Sequence, residues 1–154
     1  MIKQLSIFVE NKIGSLNKVT KVLKENNINI RAIATFDSPE FGILRIIVNK
    51  PELASKKLIE KGFIVKITNV IAVNLEDKPG ELDRVLSIIA FAGLNLNYIY
   101  PFVIRNYNTP LVVMHIDDLD IAKKILIEHG IKIGVLENES WDGMKEKKKR
   151  IKKK

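Results

Sequence analysis

The sequence contains an internal repeat, and this repeat limits the possible folds more than any other feature. The stretch ENKIGSL occurs near the start of the chain, and the similar stretch EDKPGEL occurs 66 residues later, with Gly14 aligned to Gly80. In the second part of the repeat the offset is 68 residues, which aligns Gly62 with Gly130. A two-residue insertion in the turn IRNYNTP explains the change, because surface turns accept insertions at little cost. The chain is therefore predicted to contain two copies of one small fold.

Each copy has the same order of predicted elements. An alternating first strand, KQLSIFV or VIAVNLE, is followed by an amphipathic helix and then by two strands joined by turn-forming residues. The second helix begins at Pro51 in the first copy and near Asp117 or Asp118 in the second, and it ends at a glycine. A short last strand, FIVKI or IKIGVL, completes each copy. We therefore predict an α+β fold of two ferredoxin-like βαββαβ repeats packed side by side, with antiparallel sheets and helices on one face.

The repeat also predicts the domain boundaries. The first domain should comprise residues 1–69 and the second residues 70–140, which leaves residues 141–154 as a basic tail that we expect to be disordered. Eight of the nine charged residues in Met144–Lys154 are basic, so this tail accounts for nearly all of the net charge of +8. The folded part is close to neutral, so a nucleic acid would be attracted mainly, and only weakly, by the tail.

The composition excludes several classes of protein. The chain has no cysteine, which excludes disulfides, thiolate metal sites and cysteine nucleophiles. Its apolar runs are shorter than the about 20 residues that cross a membrane, and the N-terminus has no signal-peptide pattern. We therefore predict a cytoplasmic protein without a membrane partner. Neither His115 nor His129 has a second ligand at a suitable spacing, so we predict no metal site and no cofactor.

Two segments of the chain resemble a known family. The segments ENKIGSLNKVTKVLKENNINIRAI and EDKPGELDRVLSIIAFAGLNLNYI resemble the ACT domain, a small regulatory module that binds amino acids. The family signature is Asp or Asn and then Pro-Gly-x-Leu after the first strand, with Gly-Ile/Leu-Asn-Ile/Leu at the start of the second. The tandem layout is similar to that of stand-alone proteins with two ACT domains. The first copy has Ile13 in place of proline and Asn27 in place of glycine, so equal ligand binding by the two copies is not expected.

The signature suggests a carboxylate site in each copy. A strand passes through a glycine into a helix, so unpaired backbone N–H groups at the helix start lie beside a residue without a Cβ. The resemblance implies that Asn29 and Asn95 face the opposite half and hydrogen-bond the ligand. Alternatively, these residues only form the turn, fill the core and satisfy nearby backbone groups. We predict no catalytic residue, and the predicted ligand-binding residues are Asn11, Ile13, Gly14, Ser15, Leu16, Asn29, Asp77, Pro79, Gly80, Glu81, Leu82 and Asn95.

Three aromatic residues alternate along one predicted strand. Tyr98, Tyr100 and Phe102 should lie on one face of the sheet, because side chains two residues apart point the same way. Packing between the two halves is the simpler interpretation of this pattern. The alternative is that the rings stack on an aromatic ligand.

Three classes of function compete for this sequence. The leading hypothesis is a noncatalytic sensor that binds an amino acid or a related carboxylate at the interface between the repeats and modulates a partner, such as an enzyme of amino-acid or aromatic-acid metabolism. The outer strands also suggest a homodimer. The alternative is a nucleic-acid-binding protein that acts through its basic tail, although the aromatic motif of RNA recognition domains is missing. We predict that the protein is not an enzyme, because an acylphosphatase-like arginine, a catalytic triad and a phosphate loop are all missing.

Overall fold

The chain folds into two βαββαβ units, as predicted, and the α+β fold class is confirmed. The computed structural model describes residues 1–36, 41–103 and 110–134, apart from the Phe41 side chain. The predicted basic tail and the turn DSPE lie outside the described residues. In chain order the elements are β1 (Ile2–Glu10), α1 (Ser15–Glu25), β2 (Ile30–Phe36), β3 (Phe41–Val48), α2 (Pro51–Glu60), β4 (Ile64–Asn74), α3 (Glu81–Phe91), β5 (Leu96–Pro101), β6 (Leu111–Ile116), α4 (Leu119–Glu128) and β7 (Ile133–Gly134).

One long strand, β4, belongs to both repeats. Its first part pairs with β1, from Ile64 to Val70, and its last part pairs with β6 and β7. The segments FIVKI and VIAVNLE were predicted to form two strands, and this prediction is wrong. No glycine or proline interrupts the run from Ile64 to Asn74, so the backbone stays extended through the expected boundary between residues 69 and 70. The sheet therefore continues from one repeat into the other.

The sheet curls until its two outer strands meet. The strand order is β2-β3-β1-β4-β6-β5, with β7 beside β4. An isolated antiparallel bridge joins Ala32 to Phe102, and the amide of Val103 donates a hydrogen bond to the carbonyl of Arg31 at 3.0 Å. This contact partly protects the edges of β2 and β5, which a second copy of the chain would otherwise be free to extend.

Three apolar clusters among the described residues stabilise this arrangement. Two of them lie between the sheet and the helices, one in each repeat, and they contain the fully buried Leu58 and Leu126. The third lies on the inner face of the curled sheet and combines side chains from both repeats, including Tyr100 and Phe102. Packing between the halves is therefore the role of these aromatic side chains. None of the helices in the described ranges is long and apolar enough to cross a membrane.

Because β4 is shared, we expect the two halves to unfold together. Leu58 and Leu126 occupy equivalent buried positions. Leu58→Ala and Leu126→Ala should each lower the free energy of unfolding by about 2–5 kcal/mol. The matched controls Ile59→Ala and Ile127→Ala remove side chains that are 54% and 52% exposed, and they should cost less than about 1 kcal/mol. Calorimetry should show one unfolding transition, and both core variants should lower its midpoint temperature. Two transitions, with each variant lowering the midpoint of only the half that contains it, would contradict this expectation.

Candidate functional site

The signature sequence forms the same turn in both repeats. Gly14 and Gly80 directly precede α1 and α3, and their φ angles are 81° and 87°. This left-handed conformation is open to glycine at no steric cost, which explains the residue type. The carbonyl groups of the two glycines accept the first helical hydrogen bonds, from Lys18 at 3.0 Å and Arg84 at 2.9 Å. Glycine has no side chain to cap a helix, so first-turn amides of both helices can donate to an anion.

A groove beside the first turn contains three of the predicted residues. It has a volume of about 350 Å³ and lies between the start of α1 and the adjoining ends of β2 and β3. The predicted residues in its lining are Asn11, Ser15 and Leu16. Ile13 is fully exposed and does not line this groove. The other lining residues are Val9, Glu10, Lys12, Thr35, Phe36, Gly42 and Ile43.

The second turn already contains a carboxylate. Glu81 occupies the position equivalent to Ser15, and it is only 4% exposed. Its carboxylate accepts two hydrogen bonds from the Arg84 guanidinium, at 3.1 and 3.2 Å, and this contact holds the pKa of Glu81 below its usual range. Asp83 adds another negative charge to the first turn of α3, whereas the first turn of α1 has no acidic residue. A ligand carboxylate should therefore bind the first turn in preference to the second.

The two turns lie far apart. The turn at Gly14 lies beyond one end of the pairing between β1 and β4, and the turn at Gly80 follows the other end of β4. Strand β4 is 11 residues long, so the two turns are on the order of 30 Å apart. One small ligand cannot contact both turns. The other predicted residues of the second turn, Asp77, Pro79 and Leu82, are exposed at its surface.

Asn29 does not lie beside the turn of its own repeat. At one end of β3, Phe41 is opposite Glu10, which immediately precedes Asn11. Beyond the other end of β3, the side chain of Asn49 accepts a hydrogen bond from the Asn29 amide at 2.9 Å. The length of β3 therefore separates Asn11 from Asn29 by about 20 Å.

Asn95 lies at the start of β5, in a group of polar side chains. Its amide group donates to the side-chain oxygen of Asn97 at 2.9 Å, and Asn97 donates to Asp117 at 2.8 Å. Three residues further along, the ring of Tyr98 packs against Phe36, which lines the first groove, with centroids 5.7 Å apart. Strand β5 of the second half thus approaches the groove of the first half, and Asn95 is about 10 Å along the strand from this contact.

A buried glutamine that was not predicted from the sequence connects the two halves. Gln4 is fully buried. Its side chain donates to the Tyr98 hydroxyl at 2.8 Å and accepts from the Tyr100 hydroxyl at 2.6 Å. Burial raises the pKa of Tyr100, so this hydroxyl remains a hydrogen-bond donor. The same strand also contains Lys3, Ser6 and Glu10, so the sequence did not mark Gln4 as buried, and its partners were not apparent without the fold.

An arginine held between aromatic rings was not predicted from the sequence either. The guanidinium carbon of Arg45 lies 3.9 Å from the ring centroid of Tyr98 and 4.2 Å from that of Phe36. His115 stacks on Tyr98, with centroids 4.9 Å apart. Burial lowers the pKa of His115, and the charges of Arg45 and Lys66 lower it further, against the opposing effect of Asp117. This part of the inner face therefore carries a positive potential.

Comparisons with known proteins agree with this fold. The family profile that matches the chain describes an ACT domain pair, and it covers residues 1–142. Protein BT0572 from Bacteroides thetaiotaomicron is 38% identical, with a TM-score of 0.80, and the match covers 86% of this chain and 91% of that protein. No curated protein matches the chain.

Two more distant structures share the fold. The regulatory subunit of aspartate kinase from Thermus thermophilus, in a ligand-free form, is 17% identical with a TM-score of 0.62, and the match covers 82% of this chain and 91% of that one. The same subunit from Thermus flavus is 15% identical with a TM-score of 0.58, covering 82% and 90%. The family profile spans both repeats and both turns. The chain therefore belongs to the family of ACT domain pairs.

Proposed function

We propose that this protein is a noncatalytic amino-acid sensor that regulates an enzyme or another protein partner. The observation that carries the proposal is the glycine turn at Gly14, which leaves the N terminus of α1 without a side-chain cap beside a groove of about 350 Å³. Ligand pockets for small molecules begin at about 300 Å³, so the groove is of a suitable size for an amino acid. The fold shared with regulatory subunits of aspartate kinase adds support for a regulatory role.

The groove offers a separate contact for each part of an amino acid. The carboxylate would accept hydrogen bonds from first-turn amides of α1 and from the Ser15 hydroxyl. The ammonium group would approach the Asn11 side-chain oxygen, and an apolar side chain would lie against Leu16 and Ile43. A related carboxylate without the ammonium group would keep only part of these contacts.

The first half should be the main ligand-binding half. Glu81 places a carboxylate beside the second turn, and Arg84 already neutralises it. A ligand carboxylate there would meet the charges of Glu81 and Asp83, which is unfavourable at close range. We therefore expect one high-affinity amino-acid site in each chain.

The proposal assigns no catalytic residue. Among the described residues, the side chains that line the first groove include serine, asparagine, lysine and glutamate, but no histidine or cysteine. A serine without an adjacent base is a weak nucleophile. Ligand binding would instead act by favouring one arrangement of the two halves, and so change the contact with a partner.

A thermal-shift panel tests the proposal directly. The twenty amino acids and related keto and aromatic acids should include one class that raises the midpoint, by about 2.7 kcal/mol of stability at a hundredfold excess over Kd. Ser15→Glu copies the second turn and adds a charge beside the carboxylate site, so it should weaken binding roughly tenfold. Ser15→Gln has almost the same size without the charge, and it should retain more of the affinity. A flat panel for the unmodified chain would contradict the proposal.

The two asparagines should contribute unequally to this binding. Asn95→Ala removes the hydrogen bond to Asn97 on the strand whose Tyr98 packs against Phe36 of the groove, so it should weaken binding indirectly by up to about fivefold, the equivalent of one lost hydrogen bond of about 1 kcal/mol. Asn29→Ala is the matched control at the equivalent position, about 20 Å from the first turn, and it should have little effect. Isothermal titration with the amino acid identified by the panel measures the affinity of both variants. Equal losses, or a greater loss for Asn29→Ala, would show that the ligand binds elsewhere.

A further inference from the structure

The inner face of the first half contains a row of polar residues across three neighbouring strands. Ser6 of β1 is paired with Arg45 of β3 on one side and with Lys66 of β4 on the other. Directly paired residues point to the same face of a sheet and have neighbouring Cβ atoms about 5 Å apart. Arg45, Ser6 and Lys66 are hereafter called the basic row.

The second half replaces this row with small apolar residues. Ala72 is paired with Val113 on one strand and with Gly134 on another, which is the same arrangement one repeat later. A Cβ on Gly134 would lie 3.0 Å from Cδ1 of Leu111 and 3.1 Å from Cβ of Ala72. This position has no room for a side chain, so the equivalent region of the second half is closed.

The basic row lies near an exposed end of the inner face. The next pair on the same face consists of Phe8 and Ile64, which are 47% and 69% exposed. Lys66 is also exposed, and Arg45 and Ser6 are half-buried. A small molecule can therefore reach the row by passing over an apolar rim.

The positive charges of this row lack a counter-charge within the described ranges. There, no carboxylate forms an ion pair with Arg45 or Lys66. The Nε atom of Arg45 is buried and has no hydrogen-bond partner in the same ranges. The rings of Tyr98 and Phe36 hold the guanidinium in place. The cation–π contacts offset only part of the cost of desolvating this guanidinium, and an anion that accepts hydrogen bonds from it would relieve the rest.

We propose that the basic row binds a small carboxylic acid that has an apolar body and no ammonium group. Its carboxylate would accept hydrogen bonds from the Arg45 guanidinium, the Ser6 hydroxyl and the Lys66 ammonium group. Its apolar body would lie against Phe8 and Ile64. The row contains no acidic side chain to pair with an ammonium group, so an amino acid would bind less well. This site uses other polar residues than the amino-acid groove, although Phe36 borders both, and the second half has no equivalent basic row.

Phenylacetate is a suitable probe, and isothermal titration of the full chain measures its affinity. Arg45→Met keeps an unbranched apolar stem between the two rings but removes the charge, and it should weaken binding at least tenfold. Lys66→Met changes an exposed residue, so it should fold normally and should weaken binding several-fold. Lys56→Met neutralises an exposed lysine on α2, and the affinity should be unchanged. Rising salt concentration should also weaken binding.

Each outcome distinguishes this site from the amino-acid site. Failure of millimolar phenylacetate to bind, or equal binding by all the variants, would overturn the proposal. Tighter binding of phenylalanine or inorganic phosphate, lost in Arg45→Met, would overturn the assigned ligand class. If none of the twenty amino acids raises the midpoint while phenylacetate binds through Arg45, the proposed sensor function fails and this inference stands. If an amino acid raises the midpoint and phenylacetate does not bind, the sensor function stands and this inference fails.

Discussion

Backbone pairing along β4 is the constraint on which the rest of the structure depends. The strand pairs with β1 in its first part and with β6 and β7 in its last part, so the relative position of the two halves follows from continuous hydrogen bonding. Curling of the resulting sheet brings β5 of the second half against β2 of the first. Tyr98 can therefore hold Arg45 in the first half, and Gln4 can bind tyrosine hydroxyls of the second. The basic row depends on this contact between the halves, and the amino-acid groove adjoins it through Phe36, which packs against Tyr98.

The two repeats share a fold but differ in chemistry. At the helix start, Ser15 in the first repeat corresponds to Glu81 in the second, and the charge decides which turn suits a carboxylate. On the inner face, Arg45 in the first repeat corresponds to Val113 in the second. Both differences favour ligand binding by the first half. The second half contributes aromatic side chains that position the first half's arginine, so its role there is mainly structural.

Much of this fold could be predicted from the sequence because each element occurs twice, so the patterns of two segments support the same assignment. The turns at Gly14 and Gly80 follow from residue type, and Asn27 keeps the left-handed conformation, with φ of 53°, where the second repeat has glycine. The continuity of β4 was missed because the repeat suggested a boundary between residues 69 and 70, although no glycine or proline interrupts the run there. The basic row was missed because Ser6, Arg45 and Lys66 are far apart in sequence, and only strand register brings them together.

The shared strand also affects how such a protein can evolve and be divided. Two domains joined by a flexible linker can be separated, exchanged with other domains or expressed alone. Here a cut between the repeats would fall inside β4, and each fragment alone would expose its share of the third apolar cluster, which combines side chains from both halves. The side chains of the two copies are therefore free to diverge, but the two copies remain parts of one folding unit.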